Sequence, residues 1–511
     1  MRRPEVIMAV TAVAVLALSF TLQLVEGTEV KERYHQHREW PSEEDLGICP
    51  VCGSDQDRTS FKEGHLCTHL PILCIETDGQ KIPGTPIEAS DDTAPGYETA
   101  EDGSTEIVVH YSTRAEKGVW HHPEDPATET GDAKLRIRGN SSRWFSKHSY
   151  LLRMVDGQNP EMDCLAPLLG MDPGSEWALH GPFLDKTMLR NYMCMNLAGQ
   201  IMSWTPEVRF CELVLDGEYQ GLYVAMEMIR VEPGRLELTK YRQGDLMCSW
   251  LVRVEHRPQP YKTLDNFTAY TLRLERNSNL ELLYPGTQNQ TEAVKEYVTE
   301  DFNSVEQMLY GQKMGDESDA WKNVINMDSM VDYYILEEFL AVNDTFSAST
   351  YFYRDRRGKV CIGPVWDFNN ALDNFFTPMP KEELILSQRG WFAQLMKDEE
   401  FVRAVIRRYH ALRRGILSDE ALKQYVAEVD AWLGTSLQRD DRVWGYAYDP
   451  KQLSSHECRR PEQGSGLTLE DVNWSSHEEA VEWMTGFMEG RGQFMDAYIE
   501  SLLQYCHPSK R

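Results

Sequence analysis

Residues 342–367, V-N-D-T-F-S-A-S-T-Y-F-Y-R-D-R-R-G-K-V-C-I-G-P-V-W-D, decide how the rest of the chain is read. Residues 351–353 and 360–366 are runs of aromatic and β-branched side chains, and the charged segment 355–359 between them contains Gly358, which together predict a β-hairpin. The arms of a hairpin return to one end. Asp344, ahead of the first arm, and Asp367, closing the second, are therefore expected to be neighbours in space. Two carboxylates in one pocket repel unless a cation lies between them or one of them works as a base. A single Asp in either loop would more often cap a turn, so the pairing carries the functional expectation.

The chain has 511 residues and is 41% hydrophobic, enough for a large core or two lobes sharing a cleft. Its net charge of −29 argues against nucleic acid or an anionic membrane surface as partner, since both attract a positive field. A phosphate site must then be a local basic island. Residues 134–155, K-L-R-I-R-G-N-S-S-R-W-F-S-K-H-S-Y-L-L-R-M-V, supply one: six Lys or Arg and no acid, in a chain with 52 bases and 81 acids. Leu135 to Arg138 alternates as a strand, Gly139-Asn140-Ser141-Ser142 reads as a turn, and 150–155 as a second strand. A loop of small residues offers backbone N–H groups to an anion, and Arg138, Arg143 and Lys147 add charge. An edge hairpin with solvated bases is the simpler alternative.

Met1-Arg2-Arg3 precedes an uncharged run, 6–25, mostly Val, Ala and Leu. Residues 1–27 thus read as a signal peptide or a membrane anchor, with the bulk of the chain exported in either case. Residues 28–69 read as a polar stalk ending in a cysteine cluster. Cys49-Pro-Val-Cys52-Gly53 has the spacing of a metal knuckle, and Cys67 with His65 or His69 would complete a structural zinc site. A disulfide is the rival explanation in an exported chain.

From residue 70 onward the pattern is α+β. Strands are expected at 70–75, 106–111, 208–215 and 219–225 around Asp216-Gly217, 251–256 and 270–274. Helices are expected at 186–201 behind Asp185, at 291–309 and 327–340, and through a mainly helical carboxy-terminal lobe at 399–416, 419–433 and 477–503. Arg190 and Asn191 are expected mid-helix at the surface. Glu227, closing the 208–227 hairpin, is read either as an ordinary surface acid or as a partner for Lys147.

With these motifs in hand, the sequence resembles the CotH kinase family, the spore-coat-protein-H type of atypical protein kinase. The resemblance covers about 70–503 and rests on R-I-R-G-N-S-S-R at 136–143, K-H-S-Y at 147–150, D-K-T-M-L-R-N at 185–191, L-D-G-E-Y-Q-G-L-Y at 215–223, N-D-T-F-S at 343–347 and V-W-D-F-N at 365–369. It implies a divergent, two-lobed protein kinase-like fold over 70–505 with ATP between the lobes, Mg2+ or Mn2+ at the phosphates, and a protein substrate with a Ser or Thr acceptor. On this sequence Asp344 matches the residue that orients or deprotonates the acceptor, and Asp367 the metal-holding aspartate. Arg138, Gly139, Asn140, Ser141, Arg143 and Lys147 match the phosphate-contacting segment, with Glu227 in support. Relatives usually carry His-Asn where this chain has Ala348-Ser349, which puts Ser349 at a metal-ligand position, and often carry a second acid where it has Asn369. These departures keep a second reading open, a nucleotide-binding pseudokinase that scaffolds a surface or coat layer. If the 6–25 run is retained as an anchor, full-length protein is expected to fractionate with membranes and to be cut by protease added from outside; a soluble chain beginning near Thr28 would identify a cleaved signal instead.

Overall fold

The computed structural model describes residues 33–506, apart from 54–56, 62–64, 89–95, 246, 272–278, 312–319, 375–378 and 462. The hydrophobic run 6–25 therefore lies outside the described residues. Among the described residues no helix is long and apolar enough to cross a membrane.

The amino-terminal half is built on one sheet. Its strands are β1 (Ile72–Glu76), β2 (Ile107–Arg114), β3 (Glu129–Ile137), β4 (Tyr150–Asp156), β5 (Asn159–Asp163), β6 (Glu176–His180), β7 (Val208–Leu215) and β8 (Glu218–Glu227). They pair in the order β6-β8-β7-β1-β2-β3-β4-β5, and β6 also pairs with β4, so seven strands close a ring with β5 as an outlying flap. Only β1 and β7 run parallel; the other pairs are antiparallel. Period-2 alternation fills the ring: in β2, Ile107, Val109, Tyr111 and Thr113 are buried while Val108 and His110 are exposed. In β3 the same alternation puts Ala133, Leu135 and Ile137 in the core and turns Lys134 and Arg136 outward.

A second, fully antiparallel sheet follows, with β9 (Trp250–Val254), β10 (Thr263–Leu264), β11 (Leu280–Tyr284), β12 (Thr350–Arg354) and β13 (Val360–Ile362) in the order β10-β11-β9-β12-β13. The expected hairpin is β12–β13, with Phe352 opposite Ile362. Its second arm is shorter than the composition suggested: Gly363 takes a positive φ of 103° and Pro364 has no N–H to give the ladder, so 363–366 leave the sheet. The expected strand at 270–274 is not found. Phe267–Thr271 is helical, and 272–274 lie outside the described residues.

Among the described residues, seven longer helices complete the body: α1 (Arg190–Gly199), α2 (Glu292–Gly311), α3 (Met327–Phe339), α4 (Glu399–Arg413), α5 (Asp419–Leu433), α6 (Thr435–Trp444) and α7 (His477–Tyr498). The amino ends of α3, α4, α5 and α7 are capped by the side chains of Asn326, Asp398, Ser418 and Ser476, which accept backbone N–H groups that have no partner within the helix. α1 starts four residues later than the sequence pattern suggests. Arg190 and Asn191, expected at the surface, are buried in its first turn because their side chains serve a neighbouring loop. The start of the described chain, read as part of a polar stalk, packs on the body: Tyr34 stacks on Tyr425 at 4.0 Å, and the Gln36 amide donates to Asn196 Oδ1 and to the Val208 carbonyl.

The ring is locked to α6 by buried charge. Asp440 Oδ1 accepts from Lys147 Nζ at 2.5 Å and from the Leu222 N–H at 2.7 Å, and both charged side chains are fully buried. Gly221 makes this approach possible: a Cβ there would sit 2.4 Å from Asp440 Oδ1. One residue earlier on α6, Arg439 pairs with Glu212 and donates to Thr68 and Ser436, while the Tyr219 hydroxyl donates to the other Glu212 oxygen. Such pairs cost much to desolvate and are far costlier to break on one side than to replace together. Lys147→Met is therefore expected to lower the unfolding free energy by about 3–5 kcal/mol, read as a fall in the urea midpoint, and adding Asp440→Leu to recover much of the loss. A single variant as stable as the parent would show that the pair does not lock the ring.

Candidate active site

The loops that enter and leave the β12–β13 hairpin bring Asp344 close enough for its charge to act on Asp367. Their backbones are strained: Ala341, Phe346, Ser349, Asp367, Leu372 and Asp373 all have φ between 48° and 67°, a region that non-glycine residues avoid. Such a conformation persists only where the surroundings over-determine it, and here several clamps do so. The Leu372 N–H donates to the Leu340 carbonyl, joining one loop to the other. Arg389 donates to the carbonyl and the side-chain oxygen of Asn343, and the Thr345 hydroxyl donates to Glu337. From α1, Arg190 donates to the Ala371 and Leu372 carbonyls and pairs with Asp185 at 2.5 Å, while Asn191 accepts from the Phe368 N–H and donates to Asn369. The D-K-T-M-L-R-N motif thus supports the Asp367 loop.

Amides orient the two carboxylates. Asn369 donates to Asp367 Oδ1 at 2.8 Å, Asn370 donates to Asp344 Oδ2 at 3.2 Å, and His256 Nε2 stands 3.9 Å from Asp344 Oδ1. Asp344 is partly open to solvent. Asp367 keeps a partly accessible face within dense surroundings; that burial pushes its carboxyl up to about 6, opposed by the Arg138 cation and reinforced by the Asp344 charge. Arg138 itself lies over the Trp366 ring, 5.5 Å from its centroid. Arg138, Asp344 and Asp367 therefore share one electrostatic environment.

The remaining candidates take varied places. Asn140 donates to Glu255 at 3.3 Å, and Glu255 also contributes to the field at Asp367. Gly139 has φ +114°, with Ser142 Oγ 1.9 Å from where a Cβ would be, so the turn admits no side chain there. Ser141 is exposed and opens a short 3-10 helix, Ser141–Trp144. Arg143 donates to the Gly139 and Gly84 carbonyls and lies over Tyr97 at 4.1 Å. Ser349 directly precedes β12. Of the two readings of Glu227 neither is found: it is buried rather than at the surface, and it does not pair with Lys147. Lys147 is taken by Asp440 beside Leu222, whereas Glu227 lies five residues further along β8, roughly 17 Å away at strand rise. There it accepts from the Glu207 N–H, has Arg235 at 3.8 Å, and is pushed up to about 7 by burial.

The two carboxylates and the Asn370 amide are oxygen-bearing groups of the kind hard divalent cations take, whereas the Asn369 amide is already engaged by Asn191 and Asp367, and burial disfavours the charged form of Asp367 in the absence of a cation. Mg2+ or Mn2+ fits this set. Asn370, Glu255, His256 and Arg389 escaped the sequence reading. Asn370 was visible as a second amide behind Asp367, but the other three are too far along the chain to carry a local signal.

At the amino-terminal end, Cys49, Cys52 and Cys67 do converge, but the imidazole that joins them is His122, not His65 or His69. The His69 ring faces Glu43 at 3.5 Å. No disulfide joins any of the eleven cysteines, and the cluster is compatible with a bound metal.

Residues 135–495, most of the chain, match the family described as CotH kinase protein. The chain belongs to the CotH kinase family. No curated protein matches it. Membership suggests kinase-like function with ATP and a divalent metal, and the matched span contains Arg138, Asp344 and Asp367, while the cysteine cluster lies outside it. Because Asp367 takes up a proton near pH 6 in the metal-free protein, Mn2+ affinity is expected to fall about tenfold per pH unit below 6 and to level off above 7. Calorimetric titration from pH 5 to 8 tests this; a flat profile would mean that Asp367 is not the ligand.

Proposed function

We propose that this CotH family member is an ATP-dependent protein kinase acting on Ser or Thr of exported, surface or coat proteins, with a divergent kinase-like two-lobed fold and the nucleotide between the lobes. The observation that carries the reading is the convergence of Asp344, Asp367 and Arg138 at one hairpin end, within the family match. Phosphoryl transfer asks a protein mainly for positioning and charge stabilisation, and this arrangement offers both. Asp344, partly open to solvent, accepts the proton of the acceptor hydroxyl as its oxygen attacks the γ-phosphorus and the bond to the departing ADP oxygen breaks. Asp367 would hold the cation, which would supply positive charge against the phosphates when bound. Arg138 and the backbone of the Gly139-Asn140-Ser141 turn face phosphate oxygens. Lys147, Arg143 and Glu227 act at a distance, holding the ring and the turn in shape. Export through the 1–27 segment, as anchor or signal, fits a substrate outside the cytoplasm.

A second reading, a nucleotide-binding pseudokinase that scaffolds a surface or coat layer, is favoured by Ala348-Ser349 and by the Asn369 amide that already engages Asp367. Transfer of labelled γ-phosphate by the full chain with Mg2+ or Mn2+ separates the two. Asp344→Asn is expected to keep nucleotide binding and lose transfer by about 100-fold or more, Asp367→Ala to lose metal-dependent nucleotide binding, and Ser349→Asn to raise metal affinity. ATP binding without metal and without transfer, not rescued by Ser349→Asn with Ala348→His, would favour the scaffold.

A further inference from the structure

We propose that Cys49, Cys52, Cys67 and His122 form a structural zinc site that fastens the amino-terminal segment to the ring. Their ligand atoms all lie within 4.8 Å of one another, with Cys52 Sγ 3.1 Å and Cys49 Sγ 3.6 Å from His122 Nε2. In a tetrahedral Cys3His centre the ligand atoms stand about 3.5–3.8 Å apart, given metal bonds of about 2.0–2.3 Å. The four groups are already near that spacing.

Three local structures bring them there. Cys49-Pro-Val-Cys52-Gly53 closes a tight turn, with the Gly53 N–H on the Cys49 carbonyl at 2.9 Å and Gly53 at φ +77°. The N–H groups of Val51 and Cys52 face the Cys49 sulfur. Thr68 and His121 form an antiparallel bridge with both hydrogen bonds made, at 3.1 and 2.8 Å, and this register sets their neighbours Cys67 and His122 across from each other. The imidazole is held as a ligand needs to be: Asp125 Oδ2 faces Nδ1 at 3.1 Å and accepts the His122 N–H at 2.7 Å, leaving Nε2 to face the sulfurs. Trp120 packs against Cys49 and Cys67, so the site has an apolar wall. A Cys49–Cys52 disulfide would leave Cys67 and the oriented imidazole without purpose. Four protein ligands fill a zinc tetrahedron and leave no open position, which makes the site structural rather than catalytic. Zinc would bind thiolates, the displaced protons passing to solvent.

The site reaches the lock described above. Arg439 Nη1 donates to the Arg58 carbonyl at 2.5 Å and approaches the Cys67 carbonyl at 3.5 Å, so the segment carrying the third ligand also cradles the residue beside Asp440. The inference is independent of the kinase reading, because its residues lie outside the family match and its test uses no activity.

The full-length chain, purified without chelator, is expected to carry one zinc by elemental analysis. Cobalt replacement should give the visible absorption of a tetrahedral centre with thiolate charge-transfer bands. Cys67→Ser should lose the metal. Should that variant fail to fold, Asp125→Asn, which alters only the group behind the imidazole, is expected to weaken zinc affinity about 10- to 100-fold, read by competition with a chromogenic chelator. Metal removal should also speed amide exchange in α6, Thr435–Trp444. A metal-free protein with a Cys49–Cys52 disulfide by mass spectrometry, or one zinc retained at unchanged affinity in Asp125→Asn, would overturn the proposal.

Discussion

The buried Arg190 guanidinium is the contact on which the candidate site most depends. It reaches out of the first turn of α1, pairs with Asp185, and holds the carbonyls of Ala371 and Leu372, the loop that follows Asp367. That loop and its neighbour carry six non-glycine residues at positive φ, each costing on the order of 1–3 kcal/mol, whereas an ordinary hydrogen bond returns only about 1 kcal/mol. No single contact can hold such a backbone. Arg190, Asn191 and Arg389 together supply several, most of them charge-assisted. A helix and a tail outside the hairpin are thus required to keep Asp344 and Asp367 facing one another.

The basic island at 134–155 has a different fate from the one its composition suggests. Lys134 pairs with Glu161, Arg136 with Glu106, Arg153 with Glu106 and Asp163, and Lys147 with Asp440. Arg143 is spent on two backbone carbonyls and the Tyr97 ring. Of the six, Arg138 is the one whose charge bears on Asp367. A cluster of like charge in the sequence became mostly separate ion pairs because strand alternation and a strongly acidic chain bring acids to four of the six bases. What survives at the site is one guanidinium over Trp366, enough to oppose the burial of Asp367 but not to make it an ordinary carboxyl.

The sequence carried the parts of the fold that are local. The β12–β13 hairpin, the Asp216-Gly217 turn and the helices behind Asn326, Asp398, Ser418 and Ser476 follow from period and capping chemistry within a few residues. The juxtaposition of Asp344 and Asp367 was legible for the same reason, since a hairpin fixes its own ends. Closure of the ring by β6 on β4, the clamp from Arg190, the choice of His122 over His65 and His69, and the Asp440 partner of Lys147 are contacts between distant segments. Periodicity says which face a residue takes and is silent on which remote acid or imidazole meets it there.

The family match begins at residue 135, inside β3, and so cuts the ring through one of its strands. β1 and β2 precede it, and without β1 neither β2 nor β7 has its neighbour on that side. The sheet would be left with unpaired edges where it now closes on itself. The same early segment supplies Thr68 and the Arg58 and Cys67 carbonyls to Arg439, whose partner Glu212 lies in β7. Because Asp440 follows directly and holds both Lys147 and the Leu222 N–H, the geometry of the K-H-S-Y and L-D-G-E-Y-Q-G-L-Y motifs inside the match is fixed in part by residues outside it. The folding unit that presents Arg138 to Asp367 therefore includes residues upstream of the matched segment.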